Sequence, residues 1–251
     1  YTPRTLFPYT TLFRSVVFEA VPEVLELKAL TFAWLSAACG DETVIASTTS
    51  TFLVTQLAAL VTHPQRFVNA HWLNPALLMP LVEVSRSKDT CPQVVQRLMA
   101  LLKRIGKVPV QCSPAAGYIV PRIQALAMNE AARMVEEGVA SAEDIDTAIR
   151  VGFGLRFSVL GMLEFIDWGG GDILFYASHY LAEAIDPRFL PPKVIAENMA
   201  QGRNGLREGQ GFYDYQDVDL EAYKLQRLGE FTRKLELMGL SPVFNGGVAT
   251  S

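Results

Sequence analysis

Several residue types that mark common classes of functional site are scarce in this chain of 251 residues. It has three cysteines, Cys39, Cys91 and Cys112, and no two of them have the spacing of a CxxC pair. An odd, scattered set of this kind predicts reduced thiols in a cytoplasmic protein rather than a disulfide framework or a zinc site. We therefore expect no metal in the functional site.

Long apolar runs and a strong excess of one charge are also missing. No apolar stretch reaches the roughly 18 residues that a membrane-spanning helix needs, so no spanning helix is expected. The formal net charge is −4, which favours neither nucleic acid nor an anionic membrane surface as a partner. Apolar residues make up 50% of the chain, enough for one large domain or two small ones.

The first 15 residues, YTPRTLFPYTTLFRS, have no helix caps and no apolar period, and they repeat one phrase as TLFP and TLFR. They lack the charged start, apolar block and small-residue cleavage site of a signal peptide. A DNA string that encodes residues 5–15 resembles a sequencing-library adapter. We therefore expect residues 1–15 to be a non-native leader ahead of a truncated gene, and the alternative is a native extension or interaction tail.

From Val16 to Cys112, short β-branched segments alternate with amphipathic helical patterns. Helices are predicted at 22–38, at 52–60 and after Thr90, which is the expected helix cap. Strands are predicted at VVFEA (16–20), TVIAS (43–47), FVNAHWL (67–73), LVEVS (81–85) and KVPVQC (107–112). Strands that alternate with helices predict βαβ units around a largely parallel sheet.

After Cys112 the strand patterns stop and helical patterns take over. SPAAG (113–117) is rich in turn residues and is the expected hinge. Ser141, with Asp144 three residues later, resembles a capping box. Further helices are predicted at 121–138 and near 159–167, 172–185, 192–201 and 218–238. The predicted fold class is therefore an α/β domain at 16–112 followed by an all-α domain at 113–251.

Several ordered blocks make the sequence more specific than its fold class. They are VVFEAVPE, IASTTS, HWLNP, LVEV, RIGKVPV, MNEAARMVEEGVASAEDIDTAI and GRNGLREGQGFYDY. In this order, from Val16 to Tyr215, they resemble the L-3-hydroxyacyl-CoA dehydrogenase family, and within it the 3-hydroxybutyryl-CoA dehydrogenases. The resemblance implies part of a Rossmann-type NAD-binding domain, a helical domain that forms a homodimer, and a place in fatty acid metabolism. The reaction it implies is NAD-dependent oxidation of the 3-hydroxyl of a short-chain acyl-CoA.

One histidine and one glutamate can carry the proton chemistry of that reaction. His71 ends a predicted strand, and Glu83 lies in the next strand after a short loop. A histidine suits the removal of the hydroxyl proton, and a carboxylate on its other ring nitrogen orients the ring and stabilises the imidazolium. The family's His/Glu pair matches these two residues. The alternatives are a structural histidine at a strand end and a buried structural carboxylate.

Five further residues match family positions, each with an ordinary structural alternative. Ser50 matches a serine that bonds the substrate oxygen, but it could be a helix N-cap. Asn74 matches a residue near the active site, but it could serve a turn. Asn129 matches an asparagine that reaches the substrate, but it could be an exposed polar residue. Glu23 and Lys28 match positions at the nicotinamide end of the NAD site, but they could lie on a solvated helix face.

The substrate class is less defined than the reaction. The segment GFGLRF (152–157) and Pro80 before LVEV look more like the branch of the family that contains carnitine and L-gulonate 3-dehydrogenases. Those enzymes act on free 3-hydroxy acids, and Arg156 could then bind a carboxylate through its forked guanidinium. The alternative for Arg156 is an ordinary surface or interface arginine. A non-catalytic derivative of the fold is the rival from another functional class.

The glycine-rich turn with which this family begins is missing. A GxGxxG turn between a strand and a helix lets the backbone approach the pyrophosphate of NAD. The glycines at 152 and 154 and the run at 169–171 do not follow a predicted strand, so neither is this fingerprint. We therefore expect VVFEA to be an exposed edge strand and the 251-residue chain to bind NAD poorly and to be inactive.

Overall fold

The computed structural model describes residues 15–241, so almost all of the predicted leader lies outside the described residues. One sheet contains five strands, β1 (Val16–Glu19), β2 (Val44–Ser47), β3 (Phe67–Trp72), β4 (Leu81–Ser85) and β5 (Val108–Cys112). The strands lie in sequence order, and neighbours are parallel except for β3 and β4, which are antiparallel. The sheet is thus largely parallel, and within residues 15–241 β1 is an edge strand.

Ten α-helices accompany the sheet within the described residues. They are α1 (Leu25–Ala38), α2 (Val54–Ala58), α3 (Pro92–Arg104), α4 (Val120–Glu136), α5 (Ala142–Ala148), α6 (Leu155–Phe157), α7 (Met162–Gly169), α8 (Gly171–Ala184), α9 (Lys193–Ala200) and α10 (Leu220–Leu237). A π-helical stretch, Ile149–Gly154, joins α5 to α6. Between residues 15 and 241, no helix has both the length and the apolar content needed to cross a bilayer.

The strands supply two hydrophobic layers, because successive side chains of a strand point to opposite faces. On one face, valines and alanines of β2, β3 and β4 pack against α3, in which Leu98 and Leu102 are fully buried. On the other face, Ile45 and Phe67 cluster with Phe32 of α1. Burial of one such side chain contributes ~1.5–3 kcal/mol. A shift of one residue in the pairing would exchange the two layers, so the packing fixes the strand register.

The start of α3 differs from the prediction that Thr90 caps it. The N-cap is Cys91, and Pro92 is the first helical residue. Proline has the backbone angle that this position needs and no N–H group to be capped. The Thr90 hydroxyl instead donates to the Phe67 carbonyl at 2.8 Å and accepts from the Ser87 amide at 3.1 Å. Thr90 therefore ties the loop before α3 to β3.

The chain divides into two compact units, with the division between Arg133 and Met134. Helix α4 runs through this division, and the domain boundary predicted at residues 113–117 stays a prediction. Among residues 113–241, every named element is a helix, and β pairing is limited to isolated bridges at Gly205, Gln210 and Asp214. Helix α5 begins as predicted, because the Ser141 hydroxyl accepts a hydrogen bond from the Asp144 amide at 3.1 Å.

A buried carboxylate organises the GFYDY segment of the second unit. Asp167, in α7, accepts hydrogen bonds from the Phe212 and Tyr213 amides at 2.9 Å each and from the Tyr215 hydroxyl at 3.2 Å. Gly211 passes so close to this carboxylate that an added Cβ would overlap it. The glycine is therefore required by the close approach of the backbone to Asp167.

Candidate active site

The antiparallel pairing of β3 and β4 places His71 directly opposite Glu83. His71 Nδ1 lies 2.8 Å from Glu83 Oε2, and the two side chains are 6% and 0% exposed. A carboxylate in this position accepts the proton on Nδ1 and leaves a lone pair on Nε2. Among residues 15–241, nothing hydrogen-bonds to Nε2. The structure thus brings the two predicted residues together, while their catalytic role stays a prediction.

The second oxygen of Glu83 is held by the start of α4. Glu83 Oε1 accepts hydrogen bonds from the Ile119 amide at 2.9 Å and the Val120 amide at 2.8 Å. Amide groups at the start of a helix have no partner within the helix and can donate to a carboxylate oxygen. Glu83 is therefore fixed on one side by the backbone and orients the imidazole with the other.

Tyr118 is a site residue that the sequence reasoning missed. Its ring stacks on the His71 ring, with centroids 4.8 Å apart and planes at 8° to each other. Burial raises the pKa of the Tyr118 hydroxyl well above its usual range, with smaller contributions from Cys112, Glu23 and Glu83. Its only sequence signal was an aromatic residue just after the turn-rich SPAAG segment.

Cys112, at the end of β5, lies in the same electrostatic environment. Burial raises the pKa of its thiol, and the Glu83 carboxylate adds to the effect. Among residues 15–241, no disulfide joins Cys39, Cys91 and Cys112. Within residues 15–241, no group of three His, Cys, Asp or Glu side chains could hold a metal ion.

A buried ion pair lies at the carboxyl ends of β1 and β2. Lys28 Nζ lies 3.0 Å from Glu19 Oε1, with side chains 1% and 0% exposed, and the Ser47 hydroxyl donates to Glu19 Oε2 at 2.7 Å. Lys28 is therefore not on a solvated helix face. The sequence reasoning missed Glu19, although a glutamate that ends an apolar strand needs a buried partner.

The same network continues to Ser50. Lys28 Nζ lies 3.5 Å from Glu23 Oε2, and Glu23 accepts hydrogen bonds from the Thr49 hydroxyl at 2.8 Å and the Ser50 amide at 2.9 Å. Ser50 is not the N-cap of α2, because that position is Leu53. Its side chain lies in an exposed turn, and its role in binding substrate stays a prediction.

No contact among the described residues of the first unit joins Asn74 or Asn129 to His71. Asn74 is exposed and precedes a cis peptide bond to Pro75. Asn129 is exposed on α4, and its side chain has no hydrogen-bond partner within residues 15–241. Arg156 belongs to the second unit, where its guanidinium lies 4.7 Å from the centre of the Phe165 ring.

The described residues fit one end of a dinucleotide. Such ligands bind outside the carboxyl ends of parallel strands, and the loops that follow β1 and β2 carry Glu23 and Ser50 there, linked by the hydrogen bond above. The sequence has no GxGxxG turn to hold a pyrophosphate. The residues after β1 and β2 therefore lie where such a ligand binds, and the assignment of Glu23 and Lys28 to the nicotinamide end of NAD stays a prediction.

Two family models match consecutive parts of the chain. The NAD-binding domain of 3-hydroxyacyl-CoA dehydrogenase matches residues 10–115, and the C-terminal domain of the same family matches residues 117–215. Among solved structures, the 3-hydroxyacyl-CoA dehydrogenase of Archaeoglobus fulgidus has a TM-score of 0.78 and 32% identity, with 90% of this chain and 78% of that chain covered.

Curated relatives are consistent with these matches. The chain is 31% identical to 5-formyl-3-hydroxy-2-methylpyridine 4-carboxylate 5-dehydrogenase of Mesorhizobium japonicum, over 88% of this chain and 73% of that protein. It is 37% identical to 3-hydroxyadipyl-CoA dehydrogenase of Escherichia coli, over 85% of this chain and 46% of that protein. It is 34% identical to mitochondrial hydroxyacyl-coenzyme A dehydrogenase of Sus scrofa, over 80% of this chain and 63% of that protein. The chain thus spans between about half and three quarters of these relatives.

Proposed function

The chain belongs to the 3-hydroxyacyl-CoA dehydrogenase family, and from this premise we propose that it supplies the proton-transfer site for NAD-dependent oxidation of an L-3-hydroxyacyl-CoA. The observation that carries the proposal is the buried contact of 2.8 Å between His71 Nδ1 and Glu83 Oε2. It gives the imidazole one defined tautomer and leaves Nε2 to accept a proton. The intact pair argues against a non-catalytic derivative of the fold.

In the proposed reaction, two residues serve the proton transfer and three hold the substrate. His71 Nε2 accepts the proton of the 3-hydroxyl, and Glu83 stabilises the imidazolium that forms. Ser50, Asn74 and Asn129 hold the substrate around the reacting carbon. When bound, NAD supplies the acceptor for the hydride that leaves that carbon.

At the nicotinamide end of NAD, Glu23 and Lys28 have different parts. We assign direct contact to Glu23, which is 38% exposed. The ammonium of Lys28 is buried against Glu19, so Lys28 acts by holding Glu23 in place.

Replacement of the base tests this proposal in the full-length gene product. With a 3-hydroxybutyryl-CoA substrate, His71→Ala should lower kcat by ~10²–10⁴-fold, the usual contribution of a general base. His63→Ala is the matched control, because His63 lies outside the site and should leave kcat unchanged. Unchanged turnover in His71→Ala would remove His71 from the mechanism.

The substrate is proposed to be a short-chain acyl-CoA of the 3-hydroxybutyryl type. Two observations support a second candidate, a free 3-hydroxy acid. The Arg156 guanidinium has no carboxylate partner among residues 15–241, and the Mesorhizobium relative is named for a pyridine carboxylate. Comparison of kcat/KM for acetoacetyl-CoA with those for carnitine and L-gulonate separates the two. If a free acid is preferred, Arg156→Ala should raise KM for that acid and leave acetoacetyl-CoA turnover unaffected.

We also propose that the helical domain forms a homodimer and that the protein works in the cytoplasm. Exposed Ile173, Tyr176 and Tyr180 on α8 support an interface in the second unit, since a cluster of large exposed apolar side chains is typical of one. Sedimentation equilibrium should give twice the chain mass. Tyr180→Asp should shift the equilibrium toward monomer if α8 takes part, and an unchanged equilibrium would exclude this face.

A further inference from the structure

Tyr118 connects His71 to the turn that carries Ser50. Its ring stacks on the His71 ring at a centroid distance of 4.8 Å. Its hydroxyl donates to the Thr49 carbonyl at 3.0 Å and accepts from Asn69 Nδ2 at 2.9 Å. One buried side chain therefore contacts the proposed base at one end and the residue next to the proposed substrate serine at the other.

The backbone at Tyr118 has a strained conformation. Tyr118 has a φ of 46°, in the left-handed region that side chains other than glycine rarely adopt. The same turn aims the Ile119 and Val120 amides at Glu83 Oε1. A single strained turn therefore places an aromatic face on His71 and two donors on its carboxylate partner.

The hydrogen bond to Glu83 does not by itself fix the plane of the imidazole. Rotation about the Cβ–Cγ bond of histidine has a broad energy minimum, so the ring can tilt around a single hydrogen bond. A flat ring stacked at 8° restricts that tilt. Simple packing would be satisfied by phenylalanine, and the hydroxyl adds a link to the Thr49 carbonyl.

We propose that Tyr118 is a positioning residue with two separable parts, in which the ring fixes the plane of the His71 imidazole and the hydroxyl fixes the turn from Thr49 to Phe52 that presents Ser50. The inference rests on the proposed function of His71 and Ser50. Because burial raises the pKa of the hydroxyl, it stays protonated and remains a donor to the turn.

The ring part is tested by the tautomer of His71 in the 251-residue chain itself. The sequence has only three histidines, so ¹⁵N-histidine labelling gives three ring systems, and His71→Ala assigns one. Above the ordinary range of histidine titration, the wild type should show a proton on Nδ1 of His71. Tyr118→Phe should keep this pattern. In Tyr118→Met the imidazole can tilt away from Glu83 and weaken the bond that holds the proton on Nδ1, so the Nδ1 and Nε2 shifts should move closer together as the tautomers mix.

His63 and His179 serve as internal controls for folding in the same spectra. If Tyr118→Met also changes the signals of His63 and His179, the variant is misfolded and Tyr118→Leu replaces it. Leucine also lacks an aromatic ring, and it bears the same backbone strain at this position as tyrosine. The role of the ring would be overturned if a folded variant without the aromatic ring kept the wild-type Nδ1 and Nε2 shifts of His71.

The hydroxyl part is tested by amide hydrogen exchange in Tyr118→Phe. The Thr51 and Phe52 amides donate to the Thr49 hydroxyl, so they report on the turn. Loss of the bond to the Thr49 carbonyl should speed their exchange roughly two- to tenfold, the range for one hydrogen bond. Exchange in α3, which is remote from the hydroxyl, should not change. Wild-type exchange at Thr51 and Phe52 would overturn the hydroxyl part.

Kinetics of the full-length gene product connect the two parts to catalysis. Tyr118→Phe should raise KM more than it lowers kcat, and Tyr118→Met should lower kcat more than it raises KM. The opposite split would overturn the assignment. If His71→Ala keeps full turnover, the proposed function fails, while the spectra of the Tyr118 variants still decide whether Tyr118 positions the ring.

Discussion

Replacement of Lys28 by methionine should destabilise the first unit by ~3–5 kcal/mol, the usual effect of removing one member of a buried ion pair. The side chains of Lys28 and Glu19 are 1% and 0% exposed. Methionine fills most of the volume of the lysine, so the change isolates the charge. Among residues 15–241, the Glu19 carboxylate would then retain the Ser47 hydroxyl and the Val21 amide as its donors.

A second substitution, at Glu19, tests whether the lost charge causes the destabilisation of Lys28→Met. If an uncompensated charge is the cause, Glu19→Gln should rescue Lys28→Met, because a neutral amide is less costly to bury. We expect the double variant to recover more than half of the loss, with a coupling energy of about 2 kcal/mol, within the range for residues in contact. Lys88→Met is the matched control, since Lys88 is exposed and has no ion-pair partner among the described residues.

Urea unfolding of the four variants measures these energies. A Trp168→Phe background leaves Trp34 of α1 and Trp72 of β3 as reporters, so fluorescence follows the first unit. A loss below about 1 kcal/mol in Lys28→Met, which is the range of exposed pairs, would refute the reasoning. Additive losses in the double variant would refute it as well, because they would show that the two charges do not interact.

Three further predictions concern the second unit and the cofactor. Asp167→Ala should destabilise the second unit by ~3 kcal/mol or more, since it leaves the Phe212 and Tyr213 amides and the Tyr215 hydroxyl without their acceptor; thermal unfolding measures this, and a loss below 1 kcal/mol would contradict it. Burial raises the pKa of Glu164, but hydrogen bonds from Tyr223, the Gly161 amide and Arg227 outweigh this and hold the pKa below the usual value. A carboxyl whose pKa is lower in the folded state stabilises the fold at pH above its unfolded-state pKa, and this stabilisation is lost as the pH falls toward the folded-state pKa. The free energy of unfolding should therefore fall more steeply with decreasing pH in the wild type than in Glu164→Gln. Parallel curves would exclude Glu164 as the cause. Titration calorimetry with NADH should show weak or no binding to the 251-residue chain, and micromolar affinity would sink that expectation.

The sheet and the pairing of His71 with Glu83 were predictable because their signals are local. Alternation of β-branched segments with helical patterns predicted all five strands, and the blocks around His71 and Glu83 indicated a family before any coordinates. The starts of helices were less predictable. Helix α3 begins one residue later than the expected Thr90 cap would give, with Cys91 as the N-cap and Pro92 as the first helical residue, because proline suits that position and has no N–H group to be capped.

What the sequence by itself determined was the identity of the paired residues and their order along the chain. The tertiary structure alone decided which groups orient them. Glu19 and Lys28 are nine residues apart and meet only because α1 packs beside the end of β1. Tyr118 lies 47 residues beyond His71, and no period or spacing in the sequence links the two. Such contacts depend on how β3, β4 and the turn before α4 meet in space, and burial then makes each hydrogen bond and charge matter more than it would in water.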